Sequence, residues 1–342
     1  MSRSVACLFA ITSACSLALA APPAKSAPGQ PTLHTASIKV AMLFDAGGRE
    51  DRGFNEAASR GLQRASAELG VQGWIADPVA EGKRRDALER AIAQHPDLII
   101  GVGFLFSDDV LALAKQHPKQ RFAVVDYVSS SKEAPPGNLL ALSFAESEGA
   151  YLVGVLAALH SKTDKLGFLG GMDAPIIRRF WRGYEAGARS IKPGIEVRAV
   201  YADKTAAGFT SPGKGKALAL ELYGRGADVV FHASGATGFG VLEAAREKQQ
   251  WVIGVDRYNW KDAPGLQPAT MVKHIDQAVF EAIRTAKEGA WQGGLRAMDL
   301  KRGGVGIQYN ELEPALVPPD MRAKVKQISD DLVSGKLRIA ND

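Results

Sequence analysis

Cysteine is almost missing from this chain. There are two in 342 residues, Cys7 and Cys15, both within the first twenty. Beyond them the sequence excludes disulfides, thiolate metal sites and cysteine nucleophiles. Histidine is sparse, and His34, His95, His117, His160, His232 and His274 show no metal-ligand spacing. No G-x-S-x-G or H-E-x-x-H motif is present. After the N-terminus no apolar run approaches the ~18 residues of a membrane span. Strong charge is lacking too. Setting aside the first twenty residues, 41 basic side chains face 37 acidic ones. The clusters Lys83-Arg84-Arg85 and Arg178-Arg179 read as solvated helix faces. A nucleic-acid partner is not expected.

The N-terminus reads as a secretory signal: Arg3, an apolar stretch Val5–Leu19, and an Ala18-Leu19-Ala20 cleavage site. Cleavage near Ala20 predicts a periplasmic protein without cysteine. A lipoprotein anchor at Cys15 is the weaker reading, because Thr12 stands where an aliphatic residue is usual. Residues 21–37, rich in Pro, Ala and Ser, read as a tether.

The rest alternates apolar strands with amphipathic helices, which predicts α/β architecture with parallel sheets. The most informative stretch is Val40–Gly61. A buried strand ends at Asp45, then a glycine-bearing loop leads into a helix starting near Asp51. This places a carboxylate (Asp45), two glycines, a ring (Phe54) and an amide (Asn55) at one mouth. The loop has no dinucleotide or P-loop fingerprint, and its carboxylates would repel phosphate. Its oxygens lack calcium-loop spacing. Further strands end at Gly103-Phe104, Asp126, a loop Gly170–Asp173, Gly235 and Asp256. Glu146–His160 reads as a buried helix opening a second lobe. Two such arrays predict two lobes whose strand ends share a cleft.

These motifs carry a resemblance. DAGGREDRGFNEAASRG is similar to the first signature of the basic membrane protein family, exported substrate-binding proteins of ABC transporters. LGFLGGMDAPIIRRFWRGYEAGA and SPGKGKALALELYGRGADVVFHASGATGFGVLEAA resemble its next two blocks, and WVIGVD and ATMVKHIDQAV follow in order. The resemblance spans roughly residues 38–310. It implies a type I periplasmic-binding-protein fold, with two Rossmann-like lobes, three crossovers and a hinged cleft. The expected N-terminal lobe is 38–144 plus about 258–292, and the C-terminal lobe 145–257 plus about 293–342.

The resemblance further implies a purine-nucleoside receptor without cofactor or catalysis, partnered by a membrane permease. Carried over by motif, Asp45 reads the base, Phe54 and Phe180 stack on it, and Asp256 and Lys273 hold the ribose. Asp126 and Gly235 are second-rank candidates. Without the resemblance, Phe180 reads as core, and neighbouring Trp181 takes the stacking place if the helix is rotated. Phe104 is either a cleft wall or packing, and Asp51 a helix cap. The chain departs from the family pattern at Gly53, at Ser234–Gly238, at Arg257–Trp260 and over Tyr201–Thr210, all bordering the cleft. A nucleobase, a sugar or another small polar ligand stays open as an alternative. So does a hydrolase using paired carboxylates such as Asp45 and Asp256.

Overall fold

The computed structural model describes residues 37–49, 51–76, 82–256 and 260–339. The signal segment, the tether except Ser37, and Arg257–Asn259 of the divergent segment lie outside them.

In chain order the elements begin β1 (Lys39–Phe44), α1 (Phe54–Leu69), β2 (Gln72–Ile75), α2 (Arg84–Ile92), β3 (Leu98–Val102) and α3 (Ser107–Gln116). Next come β4 (Arg121–Val125), β5 (Leu139–Phe144), α4 (Glu146–His160), β6 (Lys165–Met172), α5 (Pro175–Ile191) and β7 (Glu196–Asp203). Then follow α6 (Pro212–Gly224), β8 (Val229–Ala233), α7 (Gly238–Lys248), β9 (Trp251–Asp256) and β10 (Ala269–Lys273). The chain closes with α8 (Ile275–Lys287), β11 (Gly294–Met298), β12 (Val305–Tyr309) and α9 (Pro319–Val333).

Two sheets result. The first runs β11-β5-β4-β3-β1-β2 and is parallel throughout. The second runs β12-β10-β9-β8-β6-β7, parallel except for the antiparallel edge strand β12. Central strands such as β3 and β8 are buried along their whole length. This is why they read as continuous apolar runs rather than alternating ones. The two-lobed α/β expectation therefore holds.

Three corrections apply. The expected lobe boundaries misplace two strands: β10 pairs in the second sheet and β11 in the first. The chain changes lobe at Ala145, at His274 and between Met298 and Val305. Short apolar strands carry no mark of which sheet they join. Secondly, β6 does not stop at Leu169 but continues through Gly170 and Gly171 to Met172, in register with β7 up to Asp203. Those glycines serve neighbouring rings and not a turn. A Cβ on Gly171 would lie 2.4 Å from the Phe209 ring. Thirdly, α1 starts at Phe54, because Asp51 caps it from outside. The Asp51 carboxylate accepts from the backbone N–H groups of Gly53 (2.9 Å), Asn55 (2.9 Å) and Glu56 (3.1 Å).

Helix α4 is buried almost all round, as expected of an apolar helix inside a lobe. No helix among the described residues is long and apolar enough to cross a membrane.

Candidate functional site

The carboxyl ends of both sheets' strands enclose one cavity of about 280 Å³. This lies near the lower end of small-molecule pockets, roughly 300–1,000 Å³. Nine of the ten residues expected from the sequence line it: Asp45, Phe54, Asn55, Phe104, Asp126, Phe180, Gly235, Asp256 and Lys273. Trp181 does not. It packs partly buried against the core, and its indole N–H has no hydrogen-bond acceptor among the described residues. Helix α5 therefore presents Phe180, and Trp181 is excluded by the helix rotation.

Asp45 follows the last residue of β1, where its N–H donates to Val102 O (3.0 Å) and its Oδ2 accepts from Leu105 N–H (3.0 Å). Burial pushes its carboxyl up to about 7, against the Leu105 hydrogen bond and with help from the Asp126 charge. Asp126 after β4 and Asp256 at the end of β9 both adopt left-handed backbone, φ 66° and 63°. Aspartate tolerates that region better than bulkier residues. In each case the chain turns sharply off the sheet at the cavity. Burial also raises Asp256 to about 7, although Lys273 pulls it down.

Lys273, at the end of β10, is 3% exposed. Its Nζ donates to Asp126 Oδ1 (2.5 Å) in the other lobe and to Glu146 Oε1 (3.3 Å). Burial disfavours its charge, but Asp126, Glu146 and Asp256 outweigh that and hold its pKa above the ordinary lysine value. The ammonium also lies 5.3 Å from the Phe54 ring centroid and 5.6 Å from that of Phe180. Asn55 works inward. Its Nδ2 donates to Ala46 O (2.7 Å) and Gly48 O (3.3 Å), pinning the first loop.

Phe209 and Thr210 also line the cavity; the sequence reading put their segment, Tyr201–Thr210, at the cleft border but named neither as a site residue. Phe209 stands in the 3-10 turn Ala206–Phe209 after β7 and meets Phe104 of the other lobe edge-on, centroids 6.4 Å apart. The usable signal was Gly171, which makes room for that turn to descend onto β6. Behind the cavity, His232 is buried and its imidazole is pushed down to about 4, so it is neutral. Its Nδ1 lies 3.2 Å from Ser234 Oγ.

The arrangement can grip a flat, partly apolar molecule with hydrogen-bonding ends.

Residues 38–338 match the model of the Bmp family, described as ABC transporter substrate-binding protein, PnrA-like. Among similar proteins is the "CD4+ T-cell-stimulating antigen" of Listeria monocytogenes, 32% identical over 88% of this chain and 87% of that one. The "ABC transporter nucleoside-binding protein BmpA" of Lactococcus lactis is also 32% identical, covering 88% of this chain and 89% of its own. An ABC transporter solute-binding protein from Aeropyrum pernix K1 superposes with a TM-score of 0.80, at 27% identity over 89% of this chain and 94% of that one. The chain therefore belongs to the Bmp family of PnrA-like substrate-binding proteins of ABC transporters, with a type I periplasmic-binding-protein fold, and is a binding protein rather than an enzyme.

Proposed function

We propose that this protein binds a purine nucleoside in the interlobe cleft, closes over it by a hinge motion, and delivers it to a membrane permease. It does so in the periplasm, after its signal segment is cleaved near Ala20. The observation that carries the reading is one apolar cavity lined by Phe54, Phe104, Phe180 and Phe209, with carboxylates and, among the described residues, a single lysine. Phe54 and Phe180 stack on the base, at roughly 1–3 kcal/mol per ring–base contact. Asp45 reads the base edge. Near neutral pH its carboxyl exchanges between acceptor and donor, which suits the mixed donor–acceptor edge of a purine. Asp256 and Lys273 hold the ribose hydroxyls through charge-assisted bonds of about 1.5–3 kcal/mol each.

The test is a thermal-shift screen of the purified protein against nucleosides, nucleobases and sugars, followed by calorimetry. A ligand at a hundred times its Kd adds about 2.7 kcal/mol of stability. A shift with inosine, guanosine or adenosine, lost in Asp45→Ala and Phe54→Ala, is the expected result. Shifts with sugars alone would overturn the purine assignment.

A further inference from the structure

Three crossovers join the lobes, and the ligand-facing lysine sits on one of them. Lys273 is the last residue of β10, immediately before the crossover at His274. Glu146 is the first residue of α4, immediately after the crossover at Ala145. The backbone stitches these strands to the third crossover: Ala145 N–H donates to Met298 O (3.1 Å), and His274 N–H to Gly304 O (2.9 Å). One side-chain pair links the first two crossovers directly, Lys273 Nζ to Glu146 Oε1 at 3.3 Å.

Glu146 is wholly buried, at 0% exposure, beside the cavity but not lining it. An uncompensated carboxylate there would cost several kcal/mol. Two cations compensate it: Lys273, and Arg179 of α5, whose Nε lies 3.4 Å from Oε2 without forming a hydrogen bond. Its place in the first turn of α4 adds the favourable end of the helix dipole. The lysine ammonium carries three hydrogens. One goes to Asp126 across the cleft and one to Glu146 in its own lobe. The third is left for the cavity, which Lys273 lines. Without Glu146 the ammonium faces only the carboxylates at the cleft, Asp126 and Asp256. It can then follow Asp126 when the lobes part.

We propose that Glu146 is a positioning residue: it holds Lys273 on the hinge of its own lobe, so that the ammonium engaging the ligand is the same group that ties two crossovers together. This rests on the reading of Lys273 as a ligand contact, and the two parts are tested separately. The hinge part needs no ligand. In the ligand-free protein, Glu146→Gln speeds amide hydrogen exchange in peptides spanning Ala145 and Lys273–His274. Lys273→Met does the same, and the double variant adds nothing further. Unchanged exchange in Glu146→Gln, or additive effects, overturns the proposal.

The ligand part uses inosine. Glu146→Gln raises its Kd about tenfold, the worth of one charge-assisted bond. In the Lys273→Met background the same change has no effect. A merely structural glutamate would weaken binding in both backgrounds, which would likewise overturn the proposal. If the unaltered protein binds no nucleoside, the proposed function fails, while the exchange experiment still decides the role of Glu146.

Discussion

Asp45 shows how one neighbouring residue makes a site possible. Gly103 lies directly over its carboxylate, at φ 114°, and a Cβ there would sit 2.0 Å from Asp45 Cγ. Gly103→Ala therefore combines backbone strain with a collision, at a cost of about 1–3 kcal/mol in denaturant melts. It also weakens ligand binding by moving the acid. The buried carboxyl is a stability liability. Its pKa is about 7 in the fold against 3.8 for the free group. Between those pH values the folded chain holds a proton that the unfolded chain has lost. Stability therefore falls as pH rises through that window, and the loss is complete above about 7. Asp45→Asn removes the liability. Thermal melts should show it more stable than the parent at pH 8, on the order of 5 °C, with the curves converging near pH 4. An offset independent of pH would show that burial of the charge is not the cause.

At the scale of elements, the helix that carries Phe180 is placed by glycines on both sides of its contact. Helices α4 and α5 pack so closely that a Cβ on Gly154 would lie 2.1 Å from Tyr184 O, and one on Gly187 2.0 Å from Tyr151 O. Gly187→Ala should cost about 3 kcal/mol in urea unfolding and also loosen ligand binding, since α5 must shift. Gly213→Ala, in the first turn of α6 where a Cβ meets nothing, should be neutral or stabilising by roughly 0.5 kcal/mol. Helix periodicity, strand runs and the Asp51 cap were all legible in sequence, because each depends on local spacing. The descent of Phe209 was not, because it depends on two strands and a turn coming together.

Across the whole molecule, an exposed contact joins the two lobes outside the cavity. Arg52 of the first loop pairs with Asp262 in the other lobe, and its guanidinium sits 4.5 Å above the Phe239 ring of α7. Both partners of the ion pair are substantially exposed, so the pair is worth about 0–1 kcal/mol. Arg52→Ala should raise the ligand off-rate no more than about fivefold in stopped-flow measurements, and added salt should mimic part of that effect. A loss of hundredfold or more would move the main closing contact from the cavity to the rim.

What the sequence determined alone was whatever is local or carried by long motifs. The parallel α/β architecture, the family, and nine of the ten candidate residues, which line the cavity, were all readable from it. Strand ends in an open sheet gather at one edge whatever the details. Tertiary structure decided what depends on distant partners. It chose Phe180 over Trp181 through the rotation of α5, and assigned β10 and β11 to their sheets through hydrogen bonding. It brought Phe209 down onto Gly171, and set the buried Glu146 against Lys273 across 127 residues of chain. Such pairings leave no periodic trace, because the residues share no element and meet only when the crossovers close.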